Sequence, residues 1–119
     1  MDLKGFKVIP VAPEYMINDQ GDIYSSYIGR LLRQKTGKNG YKEVSLVSNA
    51  IRTHYRVHVL VMLTFIGPRP NNLVIDHRNR NRADNRLSNL VYCTQIENLE
   101  NSNLVRNPIT GRYENGGIN

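Results

Sequence analysis

Tryptophan is absent from this chain of 119 residues, and cysteine is nearly so, Cys93 being the only one. A single thiol permits no internal disulfide and no cysteine-rich zinc cluster, so a hydrophobic core has to hold the fold and no structural zinc is expected. Cys93 sits in an apolar run without a thiolate-stabilising pair beside it, which makes it a small buried hydrophobe rather than a nucleophile. Also missing is any stretch approaching the roughly 20 apolar residues that span a bilayer. The N-terminus lacks the charged-then-apolar pattern of a signal peptide. Cytoplasmic residence, without membrane association, is the resulting expectation. No long repeat or low-complexity block is visible.

Acidic residues are the minority: ten Asp and Glu face sixteen Lys and Arg, a formal net charge of +6. That balance favours a polyanionic partner, either nucleic acid or an anionic membrane. With no basic amphipathic helix and no lipidation signal, nucleic acid is the better match.

From residue 14 the chain reads as short strands and turns. Tyr15, Met16 and Ile17 precede a turn signal at residues 18–22, and Ile23 to Tyr27 resumes an extended pattern. Gly29 breaks that run, a second extended piece covers residues 30–35, and a polar loop at 36–40 leads into the alternation of residues 41–47, which reads as a hairpin. Residues 52–57 form a further candidate strand. The nearly all-apolar run from His58 to Ile66 is expected to be a buried helix despite its β-branched residues, because Gly67-Pro68 supplies a C-terminal stop. His58 opens that helix and is expected to be structural; His54 reads as a surface residue.

The most informative stretch is residues 74–98. Two β-prone apolar pieces, Leu73-Val74-Ile75 and Leu90-Val91-Tyr92-Cys93, flank a loop rich in Asn, Asp and Ser, residue types that favour turns by bonding nearby backbone groups. Thr94 and Glu97 then have the spacing of a capping box, which predicts a helix from about residue 95 to 103. Tyr92 is assigned to the core or a stacking surface, and Glu97 to the cap. Asp76 and His77 end the first piece, and Asn98 falls on the predicted helix. An imidazole takes a proton from water near neutrality, and oxygen ligands suit a hard divalent cation that neutralises charge on a phosphodiester. His77 supplies the imidazole; Asp76 and Asn98 supply oxygens. Neighbours on a strand point to opposite faces, so Asp76 and His77 serve one site only if the strand ends there. Asn89 is placed to fasten the loop through its side-chain amide. Asp84 and Asn85 are read as turn residues. The loop arginines Arg78, Arg80, Arg82 and Arg86 surround the candidate base, and Arg86 is the preferred phosphate clamp.

Asp76-His77, the block from Asp84 to Leu90 and Asn98 together resemble the HNH endonuclease family in its H-N-N form. The resemblance implies an α+β protein in which a strand-rich part precedes a ββα-metal (HNH, His-Me finger) nuclease core. It makes His77 the general base, Asn89 the loop-fastening catalytic residue, and Asp76 and Asn98 the ligands of one Mg2+ or Mn2+ ion per active site. Asn at the third motif position, where many relatives have His, disfavours a softer metal such as zinc. The substrate implied is double-stranded DNA, cut by a monomer or homodimer of phage or mobile-element origin. The alternative from another class is a non-catalytic DNA-binding module that keeps the fold. The earlier residues, among them Gly29-Arg30, Gly40-Tyr41 and Val57-His58 with Leu60-Val61, resemble the strand-rich segment that precedes the motif in phage and intron-encoded HNH proteins. That implies DNA contacts through Arg30, Arg33, Lys35, Lys38, Lys42, Arg52 and Arg56. The expected organisation is residues 1–56 as the DNA-contacting region, 57–103 as linking helix and nuclease core, and 104–119 as a tail with one hairpin near Pro108.

Overall fold

In a computed structural model, the described residues are 2–97, with the backbone of 104–106 and 113–115. The chain order is β1 (Lys7–Ile9), β2 (Ala12–Ile17), β3 (Ile23–Ser25), β4 (Arg30–Leu31), β5 (Lys35–Thr36), β6 (Lys42–Ser48), β7 (Ile51–Arg56), α1 (Val57–Phe65), β8 (Leu73–His77), β9 (Leu90–Thr94), β10 (Leu104–Arg106) and β11 (Tyr113–Asn115). A short 3-10 turn, Leu87–Asn89, leads into β9.

The strands pair as four antiparallel units, β1-β2-β3-β4, β5-β6-β7, β8-β9 and β10-β11. The piece expected as one extended run over residues 30–35 is divided between two sheets: Arg30 pairs with Ser25 in the first, and Lys35 with Glu43 in the second. The hairpin expected at residues 41–47 is present as β5 and β6, with β7 extending it. Alternation explains which face is inside. On β2, Tyr15 and Ile17 are buried, and on β6 Val44 and Leu46 are, while their neighbours are more exposed. A hydrogen bond from the Val47 amide to the Tyr15 hydroxyl, 3.0 Å, ties the first two sheets together.

Helix α1 follows β7 without a loop. Its run VHVLVMLTF is apolar around most of its circumference because it is covered on several sides, contacting β1, β2, β6, β7, β9 and the 3-10 turn. The amides of Ile66 and Gly67 both return to the Met62 carbonyl, and Gly67 takes φ +127, so the glycine ends the helix as its position in the sequence predicts. Val57, Leu60, Val61 and Met62 join Ile9, Tyr15, Ile17, Ile23, Val44, Leu46 and Leu90 in one core. Leu90 is how that core reaches β9. No helix among the described residues is long and apolar enough to cross a membrane.

Candidate functional site

β8 and β9 pair in register from Leu73 with Thr94 to His77 with Leu90, so His77 is the last residue of its strand. Side-chain alternation puts Asp76 on the face of Cys93 and His77 on the face of α1. The thiol of Cys93, raised first by burial, is raised further by the Asp76 charge, which fits that placement and keeps the sulfur protonated. Both strand-end side chains are nonetheless reached by the same loop: Arg80 pairs with Asp76, and Asn85 bonds His77. Asp76, His77, Asn85 and Asn89 are all at most 6% exposed.

The loop, residues 78–89, is held by its own amides. Asn89 Oδ1 accepts from the Asn79 amide at 3.0 Å, and its Nδ2 donates to Asn79 Oδ1 and to the Asp84 carbonyl at 2.9 and 2.8 Å. The Arg78 amide donates to the Asn89 carbonyl at 2.8 Å. Asn79 and Asn81 each accept from the backbone two residues on, the local bonding expected of such residues in turns. From outside, the Leu87 amide donates to the Asp19 carbonyl at 2.8 Å. Gly21, at φ +89, fits closely enough that an added Cβ would lie 3.3 Å from that of Asn85. The turn between β2 and β3 is thus part of the wall behind the site.

Asn85 is a turn residue by its sequence context, yet its side chain is buried and its Oδ1 lies 2.9 Å from His77 Nε2. An amide oxygen only accepts, so Nε2 carries the proton and Nδ1 is left with the lone pair that takes one. The ring of His58 meets that of His77 edge-on at 4.8 Å, and Tyr41 lies 5.1 Å from His58 and 5.9 Å from His77 between ring centroids. Burial, reinforced by the charges of His77 and Arg56, lowers the His58 imidazole to about 4, so it is neutral at physiological pH. His58, expected to be only structural, belongs to the surroundings of the candidate base. A lone polar residue inside an apolar helix was the sequence signal for it; Asn85 and Tyr41 had none.

The candidate cationic residues differ in what they already hold. Arg86 makes two 2.8 Å bonds to Asp84 and pulls that carboxyl well below the usual carboxylate range, with Asn79 adding to the shift. Arg82 donates to the Asn39 carbonyl at 2.8 Å and stands over Tyr41, and Arg56 stands over the same ring. Arg78 is exposed beside the strand end, while Arg30, Arg33, Lys35 and Lys38 are exposed on or beside β4 and β5. Lys42 donates to Thr36 Oγ1 at 2.8 Å. Arg52, His54 and Arg56 alternate along β7, so they share one face of the β6-β7 sheet.

Thr94 Oγ1 caps the helix that follows, accepting from the Glu97 amide at 3.0 Å. Asn98, the second expected metal ligand, lies outside the described residues. Among the described residues no three His, Cys, Asp or Glu side chains converge on a metal position. What is present is one buried carboxylate at a strand end, with a guanidinium supplying the opposite charge. A single carboxylate with neutral oxygen donors fits a hard cation that keeps waters and takes phosphate oxygens.

Residues 55–100 match the family model described as HNH endonuclease. The chain is 31% identical over 100 residues to DNA endonuclease I-HmuI of Bacillus phage SP01, covering 84% of this chain and 55% of that protein. It is 34% identical over 97 residues to H-N-H endonuclease F-TflII of Escherichia phage T5, covering 80% and 50%. The chain therefore spans about half the length of these relatives. Its fold is similar to the solved structure described as DNA binding and cleavage by the HNH homing endonuclease I-HmuI, with a TM-score of 0.76 at 30% identity over 86% of this chain and 57% of that one.

Proposed function

Because the chain belongs to the HNH endonuclease family, we propose that it hydrolyses phosphodiester bonds of double-stranded DNA in a reaction dependent on a divalent cation. The observation that carries the reading is the strand end: a buried carboxylate and a buried imidazole on successive residues, both contacted by one amide-fastened loop.

With Nε2 bonded to Asn85, His77 takes the proton of the attacking water at Nδ1. Asn85 fixes both the tautomer and the ring plane, and Asn89 keeps the loop that carries Asn85 closed. Mg2+ or Mn2+, held by Asp76 and Asn98, would supply charge neutralisation on the scissile phosphate and the departing 3' oxygen. Attack of the water on phosphorus breaks the bond to that oxygen and leaves a 5' phosphate and a 3' hydroxyl. Arg80, four residues further along a polar turn and paired with Asp76, would be free to hold the phosphate with a cation on that carboxylate.

Supercoiled plasmid is the direct test. Nicking with Mg2+ or Mn2+ that stops with chelator is expected, and DNA binding with no nicking under any metal would refute the reading. One observation favours the rival, a DNA-binding module without catalysis: the Asp76 charge is already balanced by Arg80. That rival predicts binding with a steep salt dependence and an intact plasmid.

A further inference from the structure

Beside His77, between α1 and the β8-β9 hairpin, lies a cavity of about 570 Å3 whose lining includes Tyr41, Arg56, His58, Arg69, Ile75 and Tyr92. Neither Asp nor Glu lines it. Resting on the nuclease reading, we propose that this cavity seats a backbone phosphate of the bound DNA, one neighbouring the bond that is cut, held by Arg56 and Arg69 beside the His58 ring.

The charge of the cavity favours an anion. Among the described residues, the arginines paired with carboxylates are Arg80 and Arg86, so the guanidiniums of Arg56 and Arg69 bring positive charge to the cavity without a balancing anion. Arg56 is held in place by the Tyr41 ring, its guanidinium carbon 4.2 Å from the ring centroid. The Arg69 charge acts on Tyr92, opposing the rise that burial causes in the phenol, and the Tyr92 hydroxyl is itself fixed by donating to the Gly67 carbonyl at 3.0 Å. The arrangement presents two cations, Arg56 on an aromatic support, suited to an oxyanion that accepts several hydrogen bonds.

A buried polar side chain also borders the cavity. His58 is 7% exposed, and its Nδ1 is buried with no hydrogen-bond partner. Its ring lines the cavity, so a phosphate seated there alters the surroundings of a buried polar group. Lying at about 4, its imidazole is neutral and adds no positive charge beside His77, whose task is to accept a proton.

DNA backbone and free inorganic phosphate share this chemistry, and the test separates them. In chelator, where nothing is cut, the His58 ring resonances are followed by NMR while short duplex DNA or inorganic phosphate is added. The duplex is expected to shift them, and Arg56→Gln with Arg69→Gln to remove that shift; both arginines are exposed, so the fold survives the change. The same double variant should flatten the plot of log affinity against log salt by about 1 to 2, the equivalent of one or two phosphate contacts. A response to duplex supports the proposal with or without one to inorganic phosphate. A response to inorganic phosphate alone, or an unchanged salt slope in the double variant, overturns it. Absence of plasmid nicking with the His58 response intact would count against the nuclease reading and leave the seat standing.

Discussion

Helix α1 belongs to two interiors of opposite character. Toward the N-terminal sheets it contributes Val57, Leu60 and Val61, all fully buried among aliphatic side chains. Toward the β8-β9 hairpin it contributes His58, which meets another histidine and a tyrosine. The first interior is built from area removed from water, which is non-directional and tolerant of detail. The second is built from directed bonds between buried polar groups, each of which costs stability if its partner is lost. One interior sets whether the chain folds, and the other what the folded chain does.

If that division is right, core and site substitutions separate in their readouts. Leu60→Ala should lower unfolding free energy by about 2–5 kcal/mol, measured by urea denaturation, with the cleavage rate per folded molecule unchanged. A rate that falls in proportion would show that the two interiors are not separable. The buried His58 gives the next largest effect, because its imidazole lies at about 4 in the folded protein against an ordinary 6.5. Above pH 6.5 its contribution to stability is fully present; as pH falls toward 4 the unfolded chain takes up a proton that the folded one refuses, and the contribution is lost. The loss is on the order of 3 kcal/mol, visible as a falling thermal midpoint between pH 7.5 and 4.5 that His58→Phe flattens.

Asn85→Ala leaves the His77 Nε2–H without its acceptor and should cost about 1–3 kcal/mol. It should also lower the nicking rate more than tenfold while duplex affinity holds, whereas a residue serving only the turn would leave the rate unchanged. The smallest effect belongs to the β6-β7 hairpin, far from either interior's specialised groups. Asn49 and Ala50 both take positive φ there, at 54 and 63. Ala50→Gly should stabilise by about 0.5–1 kcal/mol, raising the thermal midpoint by a few degrees with activity unaltered.

The two interiors also differed in how far the sequence exposed them. α1 could be read because an apolar run of its length ends at Gly67, and β8 and β9 because their apolar pieces frame a loop dense in Asn and Asp. Thr94 announced the next helix by its spacing to Glu97, and the amide does bond its hydroxyl. What stayed hidden depends on partners distant in the chain. The division of residues 30–36 between two sheets is decided by pairing with β3 and β6, which two-residue strands do not advertise. Asn85 looks like any turn residue until Gly21 and Asp19, far upstream, are packed behind its loop. Likewise Arg86 and Arg82 are indistinguishable as letters, and only their neighbours, Asp84 for one and Tyr41 for the other, separate a neutralised guanidinium from an available one.

In the proposed reaction His77, oriented by Asn85 at the end of β8, accepts the proton of the attacking water. Single-turnover nicking of supercoiled plasmid, with wild-type and His77→Ala protein at saturating concentration in Mg2+, measures it directly. Removing a general base should slow cleavage by about 10²–10⁴-fold, with duplex affinity in chelator unchanged. Cleavage by His77→Ala at the wild-type rate would contradict the account.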